Sequence, residues 1–178
     1  MKRLLWVLIA VAVVLTLVVP AEAEAAGVNH DGSGFTIGEK AFVRQYKSKL
    51  KENGYRCSFQ LVKDLSDSNY RFYTVKDAKG NFFLELHLYV DTSTKKLEAV
   101  RVHFDPTGCT DAQLSQKLDA MLLAYHVANV YMTDVDWQRV INEDNAFTTY
   151  DGYGFSGTLY AVPLLLTLGD QDVQLLIE

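Results

Sequence analysis

The sequence predicts an α+β domain: an antiparallel sheet, built from a four-stranded meander plus a C-terminal hairpin, covered on one face by two main helices. Three observations lead there. Apolar residues between positions 57 and 104 recur with period 2. Turn-forming clusters "LSDSN", "KDAKGN" and "DTSTKK" cut that region into four pieces. Segments on either side of it recur instead at helical spacing.

The chain opens MKRLLWVLIAVAVVLTLVVPAEAEAAG, in which Lys2 and Arg3 precede a mostly apolar run over residues 4–19, followed by Pro20 and overlapping Ala-x-Ala patterns. This reads as a secretory signal peptide, because the run is shorter than the roughly 20 residues of a spanning helix and small residues follow it directly. Cleavage is expected after Ala23 or Ala26. Removing 26 of the 178 residues leaves 152, enough for one hydrophobic core and too few for two. The expected organisation is a cleaved leader over 1–26, a flexible polar lead over 27–35 and a single domain over 36–178. The expected location is secreted, periplasmic or cell-envelope, with no stable membrane insertion after cleavage.

In "TIGEKAFVRQYKSKLKENG", Thr36 and Glu39 have the spacing of a capping box, Ile37, Ala41, Phe42, Tyr46 and Leu50 form a stripe, and Gly54 ends the helix. Four strands follow. In the third, Phe82, Leu84, Leu86, Leu88 and Val90 alternate with Phe83, Glu85, His87 and Tyr89; in the fourth, Val100, Val102 and Phe104 alternate with Arg101 and His103. Thr110 and Gln113 then make a second capping box, and Leu114, Leu118, Met121, Leu122 and Tyr125 predict a long helix to about Met132. "DVDWQRVINED" predicts a short helix with Trp137, Val140 and Ile141 inward. The tail is β-rich, with a hairpin turn at Gly169 and Asp170, and Pro163 interrupts its first strand, which favours an edge or a bulge.

Two cysteines in an exported chain predict one disulfide, Cys57 to Cys109. A four-strand meander brings both to the same end of the sheet, and the loop of about fifty residues would contribute about 3–4 kcal/mol by restricting the unfolded chain. Cys109 also precedes a helix start, where a thiol is activated, but no histidine falls in a recognisable pairing with it.

The net charge of −5 survives cleavage, since the leader carries Lys2 and Arg3 against Glu22 and Glu24. With no basic cluster, this argues against nucleic acid or an anionic membrane as partner. No nucleophile elbow, phosphate loop, dinucleotide fingerprint or zinc-binding helix motif occurs, so no catalytic residue, cofactor or metal is assigned. The acidic residues of "INEDNAF", with Asp134, Asp136 and Asp151, lack the order of a calcium loop and read as a solvated helix end.

Two groups are candidate binding residues. The outward face of the sheet should carry Glu85, His87 and Tyr89 beside Arg101 and His103, because a slip of one residue would expose Leu86, Leu88, Val100 and Val102 together. Pairing Leu88 with Val100 sets His87 opposite Arg101 and Glu85 opposite His103; a two-residue slip sets Glu85 opposite Arg101. Such a patch reads either as solvated surface or as a pH-sensitive recognition surface for an anionic or polar partner. The second group is Tyr150, Tyr153 and Phe155 in the aromatic and glycine-rich stretch "YDGYGFSG", read as a loop.

The order helix then four-stranded meander resembles that of cystatin-like domains, and the repeated helix-plus-sheet pattern is similar to secreted inhibitor proteins built from two such units. The resemblance covers about half the mature chain and carries no signature residue. The function expected is an exported bacterial binding module without catalytic chemistry, whose partner is a protein, a peptide or a small polar ligand. The alternative is a small cell-envelope hydrolase with a site assembled from residues distant in sequence.

Overall fold

The first helix, α1 (Glu39–Glu52), buries Phe42, Val43, Tyr46 and Leu50 on one stripe, as the spacing predicts. Its start differs from expectation. Gly38, not Thr36, is the N-cap, and no side chain caps the helix. A Cβ at Gly38 would lie 2.5 Å from the Lys95 carbonyl oxygen, and the neighbouring Ile37 carbonyl accepts from the Leu97 N–H at 2.9 Å. The helix start is thus held by backbone of the sheet, and Glu39 is released to accept from the Tyr73 hydroxyl and to pair with Arg71. Gly54, at φ +85°, lets the Tyr55 N–H reach the Leu50 carbonyl at 2.8 Å and closes the helix.

The computed structural model describes residues 29–30, 34–128, 152–159, 162–169 and 172–178. The expected meander is present as β1 (Ser58–Leu61), β2 (Tyr70–Lys76), β3 (Phe82–Val90) and β4 (Leu97–Phe104), all antiparallel. It is followed by α2 (Asp111–Val127) and by β5 (Gly152–Leu159), β6 (Val162–Gly169) and β7 (Val173–Ile177). The described strands form one sheet in the order β1-β2-β3-β4-β7-β6-β5. The C-terminal part contains the expected hairpin, β6 paired antiparallel with β7, and adds β5 on the far side of β6. The segment read as one strand broken at Pro163 is two strands paired to each other, with Pro163 opposite Thr158. Pairing of β6 with β7 begins only at Leu164, so Pro163 withholds no N–H from that ladder.

Leu84, Leu86, Leu88, Val100, Val102 and Phe104 are buried on one face together with residues of both helices. The two helices meet through the Tyr46 hydroxyl, which donates to the Ala120 carbonyl at 2.7 Å. The capping box of α2 forms as expected, Thr110 accepting from the Gln113 N–H while Gln113 accepts from the Thr110 N–H. Beyond Leu114 the helix is not simply striped. Every residue from Lys117 to Tyr125 is buried, which requires partners for its charges. The Lys117 ammonium lies 5.5 Å and 5.3 Å from the ring centroids of Phe82 and Phe104, and Asp119 accepts from the Tyr55 hydroxyl at 2.5 Å. The expected extension to Met132 and the short helix around Trp137 lie outside the described residues.

The polar lead, expected to bury almost nothing, is tied down where it is described. His30 is buried, forms a bridge with Phe35 and bonds the Glu178 carbonyl at 2.7 Å, while the Asn29 amide donates to Gln45 and to the Val127 carbonyl.

The expected disulfide is not formed: Cys57 and Cys109 are both free. Strands β1 to β4 keep their sequence order, so the outer pair stand three spacings apart, about 14 Å, against the roughly 7 Å between Cα atoms that a bridge tolerates. The residues after β4 do not cross that gap. They fold into a tight turn in which the Cys109 N–H donates to the Pro106 carbonyl at 3.0 Å and Gly108 takes φ +74°.

Two outcomes are expected. Gly38→Ala should destabilise the fold by about 1–3 kcal/mol, because the new methyl meets backbone that cannot step aside; the urea unfolding midpoint measures it, and an unchanged midpoint would show that the helix start is loosely held. Digestion and mass spectrometry of the protein prepared without reductant should find both cysteines as thiols. Burial pushes the Cys57 thiol up to about 11, so its alkylation by iodoacetamide should stay slow at neutral pH and rise tenfold per pH unit up to that value.

Candidate functional site

The candidate site lies on the face of the sheet opposite the helices. Of the two registers that alternation allows, the structure takes the first: Leu88 pairs with Val100, His87 with Arg101 and Glu85 with His103. The same parity continues into both neighbouring strands. On β2, Thr74 pairs with Glu85, Phe72 with His87 and Tyr70 with Tyr89; on β7, Gln174 pairs with His103 and Leu176 with Arg101. One row therefore reads Thr74, Glu85, His103, Gln174, and the next reads Phe72, His87, Arg101, Leu176.

Within these rows the two histidines converge on one oxygen. Glu85 Oε2 lies 3.2 Å from His87 Nε2 and 3.0 Å from His103 Nδ1. The other nitrogen of each ring is also engaged: His87 Nδ1 shares a hydrogen bond of 2.6 Å with the Tyr70 hydroxyl, and His103 Nε2 lies 2.7 Å from Asp172 Oδ1. Sheet geometry explains the convergence. Glu85 and His87 are two apart on β3 and so share a face, and His103 is the direct cross-strand neighbour of Glu85.

The face is less solvated than its polar composition suggests. His87 is only 8% exposed, stacked on Phe72 with ring centroids 4.8 Å apart, and Tyr70 and Tyr89 lie beside it with centroids 5.4 Å apart. Burial, and then the charge of Arg101, hold His87 below the ordinary histidine value. Arg101 itself has a buried Nε without a hydrogen-bond partner, the only such side-chain atom among the described residues.

The aromatic stretch behaves otherwise. Tyr150 lies outside the described residues, as do Asp134, Asp136, Asp151 and the acidic "INEDNAF" segment. Tyr153 and Phe155 are not in a loop but on β5, the edge strand, opposite Leu168 and Leu166. Their register positions have the opposite parity to Gly154, which shares its row with Thr167, Gln174 and His103. The sheet does not bring them to the histidine cluster.

Tyr70, Phe72 and Asp172 belong to the site and were not singled out by sequence reasoning. For the first two a signal existed, since Tyr70, Phe72 and Thr74 alternate on β2 as Glu85, His87 and Tyr89 do on β3. Asp172 had none. Its place depends on β7 pairing with β4, more than sixty positions earlier in the chain.

A separate cleft of about 870 Å³ opens between α1, the start of β1 and the β2–β3 turn, lined by Lys47, Lys51, Tyr55, Arg56, Cys57 and Asp77 among others. Its described lining holds a thiol but no histidine. No protein-family model, curated protein or solved structure matches the chain.

Tyr70→Phe removes the hydroxyl on His87 Nδ1 while keeping the ring packing. It should cost about 0.5–1.5 kcal/mol, read by urea unfolding with an unchanged far-UV circular dichroism spectrum. No loss of stability would mean that water replaces the hydroxyl and that the histidine is not held by it.

Proposed function

We propose that the protein is an exported bacterial binding module, acting without catalytic chemistry, that recognises a polar or anionic partner with the outward face of its sheet. The observation that carries this reading is the composition of that face. Half-buried Tyr70 and Tyr89 lie beside His87, which stacks on the buried ring of Phe72, and Arg101 stands opposite His87 with its Nε lacking an acceptor among the described residues. Aromatic and arginine side chains are the residue types that anchor interfaces, and among the described residues no carboxylate forms an ion pair with the Arg101 guanidinium.

The alternative, a small cell-envelope hydrolase, draws on the contact between His103 and Asp172. The separation of groups favours the binder: the cleft beside α1 holds Cys57 and no described histidine, while the histidines lie on a sheet face among aromatic rings. Export rests on the leader pattern and belongs to the same proposal. Intact-mass measurement of protein secreted from the full-length gene should give a chain beginning at Glu24 or Gly27, and an uncleaved Met1 would remove that part of the reading.

The binding surface is tested with a triple variant. Wild type and His87→Ala, Arg101→Ala, His103→Ala protein, matched by circular dichroism, are immobilised and exposed to extracellular and envelope fractions of the source cell. The variant should retain at least about tenfold less of any partner that the wild type captures, because truncating buried charged anchors typically costs 2 kcal/mol or more. Equal capture would make the face ordinary surface and move the search to the residues around Tyr150 to Phe155.

A further inference from the structure

We infer that Glu85, His87 and His103 form a binding site for a single divalent transition-metal ion of the zinc class, with Tyr70 and Asp172 orienting the two imidazoles. The inference names a ligand for the outward face and so rests on reading that face as a binding surface.

Geometry is the first support. One ligand atom from each of the three residues lies within 4.8 Å of those of the other two. A tetrahedral ion with metal–ligand bonds of 2.0–2.1 Å spaces its ligands about 3.3 Å apart. Glu85 Oε2 already stands 3.2 Å from His87 Nε2 and 3.0 Å from His103 Nδ1, close to that spacing, and the two imidazole nitrogens, within 4.8 Å of each other, close on an ion by side-chain rotation. Two imidazoles and one carboxylate, with a position left open, are a ligand set used for zinc and for related first-row ions.

The outer contacts are the second support. A histidine that ligates a metal through one nitrogen almost always donates its other N–H to a carboxylate, carbonyl or water oxygen. Here His103 presents Nδ1 to the cluster and Nε2 to Asp172, at 2.7 Å, and His87 presents Nε2 to the cluster and Nδ1 to the Tyr70 oxygen, at 2.6 Å. Both rings are turned the same way, each with one nitrogen inward and the other held.

Hydrogen-bond arithmetic is the third. A neutral imidazole has one N–H, and His103 faces a carboxylate at each nitrogen. Satisfying both takes either a second proton on His103 or a metal ion between His103 and Glu85, and the ion also serves His87 Nε2, which approaches the same Glu85 oxygen. The neighbouring charges set the balance. Arg101 opposes a second cation, whereas Glu85 and Asp172 favour it, and the dication with Arg101 outweighs the two carboxylates, leaving the occupied site positive and receptive to an anionic fourth ligand. Calcium and magnesium, which take oxygen ligands, fit poorly.

The test uses protein produced from the full chain, stripped with EDTA and dialysed free of it, and titrated with ZnCl2 by calorimetry and with CoCl2 by visible absorption. The wild type should take up one equivalent of zinc, or in its place one equivalent of cobalt with the intense absorption of a low-coordinate site that added zinc then abolishes, and calcium should not compete. Glu85→Gln and His103→Ala should abolish stoichiometric uptake. Asp172→Asn, at an exposed position that leaves the fold intact, should weaken it about 10- to 100-fold. Folded wild type that takes up no zinc, or uptake unchanged in Asp172→Asn and in whichever ligand variant folds, overturns the site. Partner capture repeated in EDTA separates this failure from that of the recognition surface: capture that persists while zinc uptake is absent removes the metal and leaves the surface.

Discussion

Everything on the outward face of the sheet depends on one pairing, the register of β3 against β4. Leu86 opposite Val102 and Leu88 opposite Val100 place four fully buried side chains in one layer beneath the helices. Each is worth roughly 1.5–3 kcal/mol by burial. A slip of one residue would expose them all, at a cost comparable to the whole stability of a domain this size. The polar residues between them have no choice of face. Glu85, His87, Arg101 and His103 are brought together by what the apolar residues require, and the cluster costs no specificity device of its own.

That constraint explains what could be read from the sequence. Helix α1, the four strands of the meander and the second capping box follow from local periodicity and turn chemistry, and they occur where those signals put them. The outward grouping of Glu85, His87, Tyr89, Arg101 and His103 was legible because parity is a local property; the choice between registers two residues apart was not, since both bury the same leucines. The capping box at Thr36 and the single strand through Pro163 were read from neighbours in sequence and were overruled by Lys95 backbone against Gly38 and by β5 folding back on β6; the disulfide was read from the meander returning to one end of the sheet, and the turn that holds Cys109 beside Pro106 leaves it free. Asp172 was not legible, because its role exists only once β7 pairs with β4.

The protein keeps polar groups buried on both faces of the sheet, and the two sets are satisfied differently. On the helix side, Tyr46 donates to Ala120, Tyr55 to Asp119 and Tyr73 to Glu39, and the Lys117 ammonium rests between two phenyl rings. Each group has a partner within the chain, and each contact joins elements that hydrophobic packing alone would leave free to slide. Burial there raises the Tyr55 hydroxyl and the Asp119 carboxyl above their ordinary values.

On the outward side His103 meets carboxylates at both ring nitrogens and both imidazoles approach one Glu85 oxygen, and among the described residues Arg101 Nε has no acceptor. An unsatisfied buried polar group costs about 1–3 kcal/mol, and selection for stability alone removes such groups when an apolar residue of similar size would fit. A β-strand face next to Phe72, Tyr89 and Leu176 would accept one. The proposed ligand would bring a cation to the carboxylates around His103 and an anion to Arg101, with Glu85 and Arg101 standing on neighbouring strands. The helix side of the sheet carries the core, and the proposal places recognition on the other.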